Sequence, residues 1–299
     1  MAPLPIPLPT PLPIPSELRS GVEEDGRLDW LDRLPELIGD AAERWGLTVG
    51  APFEPGGRTA WVAPATDGAG RDLVLKVGRP HYEARDEAAG LRAWAGHGAV
   101  ILHAERTLPD AWLLLQERCL PGTTLRSLPE PEQDVIVAGI LRRLWAAPAT
   151  GPFRSLADMC AAWSRNLERR IAAGLMPIDS GLARAGLALW RELPASAPAD
   201  RRVLLCTDLH AGNILAAARE PWLVIDPKPY VGDPTYDALQ HLLNCEDRLK
   251  ADPDALVRRM AGLLDLDAGR LRQWLFARCV QESPTWLLAA EVAVMLAPP

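Results

Sequence analysis

The spacing of apolar and polar positions predicts a strand-rich first part of the chain. Apolar residues recur at helical spacing in two segments, and short apolar runs of strand length lie between and after them. The predicted elements are a helix at 28–46, strands at 60–63 and 72–77, a helix at 83–96, and strands at 99–104 and 111–117. The first 117 residues are therefore expected to form a small sheet with one inserted helix.

The rest of the chain has mostly helical periodicity. Residues 118–128 break the pattern and are predicted to be a linker, and the stretch Pro194–Pro198 is expected to end a helix. Strand-like apolar runs return only around 203–226. The predicted helices lie at 130–147, 155–173, 180–193, 234–245, 253–265, 267–280 and 284–296. This order favours an α+β, bilobal fold with a small β-rich N-terminal lobe and a larger helical C-terminal lobe.

The N-terminal segment MAPLPIPLPTPLPIP alternates proline with apolar residues. It has neither a basic start nor a continuous apolar stretch, so it does not have the pattern of a signal peptide. Its proline density favours polyproline II, and a ligand for an SH3-type domain is the alternative interpretation. We predict a disordered Pro-rich tail at 1–27, an N-terminal lobe at 28–118 and a helical C-terminal lobe at 119–299.

Composition narrows the class of protein. Among 299 residues, 48% are hydrophobic, which indicates a globular chain, and the net charge of −7 argues against a general nucleic-acid partner. The same charge suits a cationic small molecule. The five cysteines contain no CxxC pair, which is typical of reduced thiols and predicts a cytoplasmic protein. No apolar run approaches the roughly 18–20 residues that span a bilayer, so no membrane partner is expected.

One stretch, CTDLHAGNIL at 206–215, combines several chemically active residue types between two strand-like runs. Asp208 follows the first run, Asn213 comes five residues later, and Asp226 follows the second run, WLVI. In a hairpin these three side chains converge at one end. Carboxylate and amide oxygens are the ligands that Mg²⁺ takes, and a third carboxylate can accept the proton of an attacking hydroxyl. The pattern therefore indicates phosphoryl transfer.

Two other interpretations of this stretch remain open from the residues alone. Asp, Gly and Asn are favoured in turns, so the segment could be a polar hairpin turn without chemistry. Cys206, Asp208 and His210 alternate along an extended chain, so they could lie on one face and bind zinc, although the stretch supplies no fourth ligand of the usual type.

The runs CTDLHAGNIL and WLVIDPKPYVGDPTYD together resemble the aminoglycoside phosphotransferase family, in particular its streptomycin 6-kinase and hydroxyurea kinase branch. The resemblance extends over most of residues 50–280 and implies the protein-kinase-like fold. It implies that Asp208 is the catalytic base and that Asn213 and Asp226 bind Mg²⁺. The chain departs from the family at Cys206, where family members usually have a histidine that braces the loop. That departure puts the support of the loop in question.

The resemblance also implies a nucleotide-binding role for residues 28–118. Lys76 stands inside an apolar strand, where a lysine needs a partner, and Glu87 is the expected partner, with Glu83 as the alternative. Gly56 and Gly57 are predicted to form the loop over the ATP phosphates, although a plain β-turn explains them equally well. Residues 112–119 are predicted to be the hinge, with adenine bonding to the backbone at Glu117 and Cys119.

The acceptor is expected to be a small molecule that binds near the catalytic loop. The candidate contacts are Asp233, Asp237, Glu246 and Lys228, and for Asp233 and Asp237 a structural role at the start of a helix is favoured over contact with the acceptor. Lys228 could contact phosphate or the acceptor, and a solvated loop lysine explains it equally well. We predict an ATP-dependent O-phosphotransferase, monomeric or dimeric, that acts on a cationic aminocyclitol antibiotic such as streptomycin. The alternatives are a kinase of hydroxyurea or another hydroxylated metabolite, and a kinase-fold protein that binds ligand with little turnover.

Overall fold

The computed structural model describes residues 11–298, which form two compact units. The first comprises the described residues up to Gly96 together with Val100–Gly122, and the second comprises His97–Ala99 together with the described residues from Thr123 onward. His97–Ala99 join the second unit because Val224 N donates to Gly98 O over 3.0 Å and because Ala99 forms a parallel bridge with Val224. The predicted lobe boundary at 118/119 lies close to Gly122.

The first unit contains a five-stranded antiparallel sheet in the order β1-β2-β3-β5-β4 and three α-helices. Its helices are α1 (Ser16–Glu24), α2 (Leu34–Trp45) and α3 (Glu87–Trp94); its strands are β1 (Leu47–Val49), β2 (Ala60–Asp67), β3 (Asp72–Gly78), β4 (Leu102–Thr107) and β5 (Trp112–Glu117). Within β3, Leu75 and Val77 enter the core beneath α1 and α2, so Lys76 lies on the opposite face. This alternation turns the predicted strand lysine away from the apolar core.

The N-terminal segment differs from its prediction as a disordered tail. Residues 1–10 lie outside the described residues, but α1 follows at Ser16–Glu24, and Leu18 and Val22 are fully buried in the core of the first unit. Upstream of α1, Pro13 O accepts a hydrogen bond of 3.1 Å from Trp61 Nε1. The prediction was wrong because the prolines dominated the composition, whereas two apolar residues four positions apart are enough to give a short helix a buried face.

Two helix boundaries also differ from the sequence prediction. The helix expected at 28–46 divides into a 3₁₀ turn at Leu28–Arg33 and α2, whose C-terminus is capped by Gly46 in the left-handed conformation. The helix expected to end at residue 193 continues through Pro194 to Ser196. In the last turn of this helix, the carbonyl of Leu193 accepts hydrogen bonds from the Arg270 guanidinium and the Ser196 hydroxyl, which satisfy an acceptor at the helix end.

The second unit is mainly helical and carries two small two-stranded sheets. Its helices are α4 (Glu130–Trp145), α5 (Leu156–Ala172), α6 (Ser180–Ser196), α7 (Pro234–Asp237), α8 (Leu239–Asn244), α9 (Glu246–Ala251), α10 (Pro253–Leu264), α11 (Ala268–Glu282) and α12 (Leu287–Met295). Its strands are β6 (Val203–Leu205), β7 (Ile214–Ala216), β8 (Trp222–Val224) and β9 (Tyr230–Gly232). Over residues 11–298, no helix combines the length and the apolar character that crossing a membrane requires.

An aromatic cluster joins four helices of the second unit. Trp190 lies 5.5 Å from Trp163, 5.7 Å from Trp274 and 6.3 Å from Tyr236, measured between ring centroids. Trp190 Nε1 also donates to the carbonyl of Ala277 over 2.9 Å. Tilted and edge-on aromatic pairs add stability beyond their buried area, so α5, α6, α7 and α11 are packed around one rigid centre. The short helix α7 is thereby fixed.

Candidate active site

The predicted catalytic loop lies between the two small sheets of the second unit. Strand β6, which precedes the loop, pairs with β9, and β7, which follows it, pairs with β8. Beyond the β7–β8 ladder, Ile225 N donates to Asn213 O over 2.9 Å, so Asn213 and Asp226 start from neighbouring backbone positions. Thr207 and Asp226 have positive φ angles of 53° and 52°, an uncommon conformation for residues other than glycine. Such turns are typical of functional sites.

A buried carboxylate holds the backbone of this loop. Asp237 Oδ2 accepts hydrogen bonds from Cys206 N (3.0 Å) and Trp145 Nε1 (2.9 Å), while its Oδ1 accepts one from Thr207 N (2.6 Å). Asp237 is only 1% exposed, and burial raises its pKa to about 6 against the lowering effect of these donors. The prediction that Asp237 contacts the acceptor is therefore wrong, since its carboxylate points at the loop backbone. We interpret Asp237 as a positioning residue.

The same contacts answer the question raised by Cys206. Its side chain is fully buried, and burial, followed by the carboxylates of Asp237 and Asp208, raises the thiol pKa well above the usual range. The backbone of Cys206, in contrast, donates to Asp237 and accepts from Asp208 N (2.8 Å) and Lys228 N (2.9 Å). The loop is thus braced by main-chain hydrogen bonds, which do not depend on the identity of the side chain at this position.

Asp208, the predicted base, is paired with Lys228. Lys228 Nζ donates to Asp208 Oδ2, and both side chains remain partly exposed, at 24% for the lysine and 18% for the aspartate. The backbone carbonyl of Asp208 accepts a hydrogen bond of 3.1 Å from Asn213 Nδ2. The sequence suggested that Lys228 contacts phosphate or acceptor, but nothing in its spacing pointed to the base as its partner, because the two residues are 20 positions apart.

The residues predicted to hold a divalent metal fit that role chemically. Because the Asn213 amide nitrogen is directed to Asp208 O, its amide oxygen points to the other side. Asp226 has a left-handed conformation, which turns the chain sharply after β8. The residue before it, Ile225, is hydrogen-bonded to Asn213. One carboxylate and one amide oxygen form the sparse, oxygen-only donor set that suits Mg²⁺, which completes its shell with phosphates and water. Their role as metal ligands stays a prediction.

The zinc alternative is not supported by the loop geometry. His210 Nδ1 accepts a hydrogen bond of 3.0 Å from Gly212 N and caps the 3₁₀ turn Ala211–Asn213. Burial lowers the pKa of His210, which keeps the ring neutral and able to accept. The Cys206 thiol stays protonated inside the core, whereas a zinc ligand must be a thiolate. His210 therefore acts as a local structural residue.

Elsewhere among residues 11–298, Asp134, His241 and Cys245 lie close enough together to share a metal ion. The Asp134 carboxylate is already bound by Arg248 (2.8 Å) and Arg259 (2.6 Å), and by His241 Nε2 (2.8 Å). Burial alone would raise the pKa of Asp134, but these donors hold it well below its usual range. Two guanidinium groups on the shared carboxylate disfavour a further cation, so this cluster is a structural ion-pair network between helices.

In the first unit, Lys76 and Glu87 form a buried ion pair. Lys76 Nζ lies 2.8 Å and 2.9 Å from the two carboxylate oxygens of Glu87, and Gln116 Nε2 donates to Glu87 Oε1 over 3.1 Å. Lys76 is 8% exposed and Glu87 2%, whereas the alternative partner, Glu83, is exposed. The ammonium also lies 5.3 Å from the centroid of the Trp112 ring. The structure thus brings together the two residues that the sequence paired.

The predicted phosphate loop packs against the N-terminal helix. A side chain at Gly56, whose φ is 79°, would lie 2.6 Å from Pro15 Cβ, so this glycine is required by a close approach within the unit. Glu17 N donates to Pro55 O over 3.2 Å, and Arg58 forms ion pairs with Glu17 and Glu24. Within residues 11–298, apart from the two chain neighbours, no atom lies within 4 Å of the position that a Cβ would take at Gly57. A role of either glycine over phosphates stays a prediction.

The structure limits which backbone groups of the predicted hinge can bind adenine. Glu117 N donates to Ile101 O over 2.8 Å, and Glu117 Oε2 accepts from Ile101 N over 3.0 Å. The amide hydrogen of Glu117 therefore belongs to the sheet and cannot donate to adenine, because one N–H makes one such bond. A contact through the Glu117 carbonyl or the backbone of Cys119 stays a prediction.

The acceptor residues proposed from the sequence separate into two groups. Asp233 is 4% exposed and caps α7 by accepting from Thr235 N (3.0 Å). Its other oxygen accepts from Arg270 (2.6 Å) and Trp274 (2.7 Å). The structural role of Asp233 is therefore supported and contact with the acceptor is not, because the side chain is buried and its carboxylate is bound by Thr235, Arg270 and Trp274. Glu246 is exposed in the first turn of α9 and stays a candidate.

Comparison with solved structures places this architecture in the protein-kinase-like class. A choline/ethanolamine kinase family protein from Mesorhizobium loti superposes with a TM-score of 0.58 at 15% identity, covering 83% of this chain and 87% of that protein. The aminoglycoside phosphotransferase APH(3'')-Id from Streptomyces rimosus, solved with ADP and streptomycin, gives 0.53 at 17% identity and covers 85% and 99%. At these identities the likeness concerns the fold, and it confirms the predicted class.

Sequence comparison defines the family within that class. The family model for aminoglycoside/hydroxyurea antibiotic resistance kinases matches residues 44–290. A streptomycin 6-kinase from Streptomyces glaucescens is 35% identical over 87% of this chain and 85% of its own length. A hydroxyurea phosphotransferase from Kitasatospora aureofaciens is 36% identical over 89% and 77%. The chain belongs to this kinase family, and it is an ATP-dependent phosphotransferase that acts on hydroxyl groups, as its sequence predicted.

Proposed function

We propose that this enzyme transfers the γ-phosphoryl group of ATP to a hydroxyl of a cationic aminocyclitol antibiotic, with streptomycin as the first candidate. The observation that carries the proposal is the loop geometry: Asp208 and Asn213 lie on one segment whose backbone is fixed by a buried carboxylate. The streptomycin 6-kinases that are 35% identical over most of their length support the choice of acceptor. The net charge of −7 favours a cationic substrate.

In the proposed reaction, the acceptor hydroxyl oxygen attacks the γ-phosphorus. A new P–O bond forms, the bond from the γ-phosphorus to the bridging oxygen of ADP breaks, and the hydroxyl proton moves to the Asp208 carboxylate. Asp208 can reach a substrate because its side chain is partly exposed, at 18%. Its backbone is held on both sides, by Cys206 O and by Asn213 Nδ2, so the carboxylate starts from a defined position.

The remaining residues orient the nucleotide. Lys76, fixed by Glu87, would bind the α- and β-phosphates, and Asn213 with Asp226 would hold a divalent metal, for which we propose Mg²⁺. When bound, such an ion neutralises charge on the phosphates and helps to align them. An amicoumacin kinase of similar fold, 16% identical to this chain, was solved with AMP-PNP and Ca²⁺ and supports the use of a nucleotide and a divalent cation. We further propose that the enzyme works in the cytoplasm, in keeping with its five cysteines, which are buried and form no disulfide among the described residues.

The second candidate acceptor is hydroxyurea. It is favoured by the relative from Kitasatospora aureofaciens, which is named a hydroxyurea phosphotransferase and is 36% identical to this chain. Hydroxyurea is small and uncharged, so a site that accepts it would not need the carboxylates that a polycationic acceptor requires. Exposed acidic residues near the start of α9, including Glu246, therefore distinguish the two acceptors by charge.

The experiment that tests the proposal is an acceptor panel. ADP release would be followed with Mg²⁺ and ATP in the presence of streptomycin, other aminoglycosides or hydroxyurea, and the product would be identified by mass spectrometry. We expect streptomycin to give a singly phosphorylated product and to raise ADP release well above the rate without acceptor. If no acceptor changes the rate, and Asp208→Ala leaves it unaltered, the assignment of acceptor and base is wrong.

A further inference from the structure

Lys228 is held in place by the same loop whose base it contacts. Its backbone N–H donates to Cys206 O over 2.9 Å, and its carbonyl accepts from Thr207 Oγ1 over 2.6 Å. These two residues immediately precede Asp208. The backbone N–H and the carbonyl of Lys228 are therefore both hydrogen-bonded to the catalytic loop. The side chain starts from a position as well defined as that of the base. A solvated loop lysine would not need such anchoring.

The ammonium group of Lys228 completes a charged pair at the reaction centre. Its Nζ donates to Asp208 Oδ2, and its side chain is 24% exposed. An ammonium carries three N–H donors and can bind a carboxylate and a phosphate oxygen at the same time. Since the acceptor hydroxyl must lie between the base and the γ-phosphorus, a cation next to the base is also close to the phosphoryl group in transfer.

We propose that Lys228 is a second catalytic residue, which binds the transferring γ-phosphoryl oxygens while it holds Asp208 in place. This inference rests on the proposed function. In the step, Lys228 keeps its proton: the hydroxyl proton goes to Asp208, and the ammonium compensates the negative charge on the phosphoryl oxygens. Stabilisation of charge that develops in the transition state is the strongest single contribution that a fixed donor makes. Lysine serves well here, as a compact point charge on a flexible stem.

The chain provides a clean set of variants, because it contains only three lysines, Lys76, Lys228 and Lys250. Lys228→Met removes the charge and keeps the length of the side chain, and Lys228→Arg keeps the charge. Lys250→Met is the matched control, since Lys250 is 68% exposed in α9 and 3.8 Å from Glu291. Each variant of the full chain is compared in thermal unfolding, in steady-state kinetics, and in calorimetric binding of Mg²⁺·ADP and of a Mg²⁺ complex of a non-hydrolysable ATP analogue.

For Lys228→Met we expect the affinity for the ATP analogue to fall about 10-fold while that for ADP changes less than about twofold, because only the analogue has a γ-phosphate. In turnover, kcat should fall on the order of 100-fold, with little change in KM for the acceptor. Lys228→Arg should recover at least a tenth of the lost rate, and Lys250→Met should match the wild type.

One result would overturn the inference: a ratio between the affinities for the analogue and for ADP that Lys228→Met leaves unchanged, whatever happens to stability. If both affinities fall equally and the melting temperature is lower, Lys228 supports the loop alone. The binding measurements need no acceptor, so they decide the role of Lys228 even if the acceptor panel gives no product.

Discussion

Each unit of the molecule holds a candidate functional residue with a buried carboxylate, but the two carboxylates act on different parts of the candidate residue. In the first unit Glu87 binds the functional side chain itself, at 2.8 Å and 2.9 Å from Lys76 Nζ. In the second unit Asp237 binds backbone N–H groups of the two residues before Asp208. A side chain held at its charged group suits the fixed phosphate contact proposed for Lys76. A loop held through its backbone positions the proposed base, whose carboxylate is in turn paired with Lys228.

This comparison predicts that the ion pair of the first unit is the more sensitive element to break. Glu87→Gln leaves the buried Lys76 ammonium without a counter-charge, and losing one partner of a buried pair costs about 3–5 kcal/mol. We expect a lower free energy of unfolding and a loss of nucleotide affinity, measured by denaturant titration and calorimetry.

The matched control is the double variant Lys76→Met/Glu87→Leu, in which the pair is replaced by apolar side chains. We expect it to recover most of the lost stability but none of the nucleotide affinity, because the phosphate contact is gone. If it also binds ATP like the wild type, Lys76 has no role in nucleotide binding.

The brace of the second unit should have a measurable dependence on pH. Burial raises the Asp237 pKa from 3.8 to about 6, so the folded protein favours the protonated carboxyl. The resulting stabilisation is fully present below about pH 4 and is lost as the pH rises through 6, by roughly 3 kcal/mol in total. The free energy of unfolding of the wild type should therefore fall over this range relative to that of Asp237→Asn.

The same variant tests the link between the brace and catalysis. In Asp237→Asn, the amide N–H₂ replaces either Oδ1, which accepts from Thr207 N, or Oδ2, which accepts from both Cys206 N and Trp145 Nε1, so at least one donor loses its acceptor. We expect kcat to fall about 10-fold to 100-fold through misplacement of Asp208, with the affinity for ADP unchanged. An unchanged kcat would show that the loop keeps its geometry without Asp237.

A smaller difference is expected between glycine-to-alanine substitutions in α1 and in α2. A Cβ at Gly21 in α1 would lie 2.2 Å from Arg58 O, next to the predicted phosphate loop. At Gly39 in α2, no atom of the described residues outside the local helix backbone lies within 4 Å of a Cβ. Gly39→Ala should stabilise the protein by about 1 kcal/mol, the usual gain in a helix. Gly21→Ala should destabilise it by about 1–3 kcal/mol and weaken ATP binding a few-fold. Equal effects of the two substitutions in thermal unfolding would contradict the close packing.

The smallest effect is expected at Cys206. Because the loop is held through the backbone of this residue and through Asp237, Cys206→Ala should reduce stability by about 1 kcal/mol, the loss expected for a small buried group, and change kcat less than about threefold. Steady-state kinetics at saturating substrates checks this. A loss of more than tenfold would mean that the thiol itself supports the loop.

The sequence made the local features of the site predictable. A lysine inside an apolar strand and a motif that holds Asp208 and Asn213 five residues apart are visible without any coordinates. The brace was not visible, because Asp237 comes 31 residues after Cys206 and its acidic side chain has the same appearance as a solvated one in a helix start. The Lys228 contact with the base was missed for the same reason of sequence separation.

The same limit explains the N-terminal error. Composition describes an average over a segment, and the prolines of residues 3–15 outweighed two buried positions, Leu18 and Val22, that decide the fold of α1. Whether a short helix packs depends on the positions of a few apolar side chains. Those positions can be judged only when the surface that the side chains cover is known. Here that surface is the core next to β2 and β3.

The central claim, that Asp208 is the base of an aminocyclitol kinase, is tested most directly by following the γ-phosphate. ATP labelled at that position would be incubated with Mg²⁺, streptomycin and either the wild type or Asp208→Asn, and labelled product would be quantified. We predict stoichiometric transfer to one streptomycin hydroxyl by the wild type and a rate lower by about 10³-fold for Asp208→Asn, with equal affinity of the two proteins for the ATP analogue. Labelled product formed at equal rates by both proteins would contradict the assignment of the base.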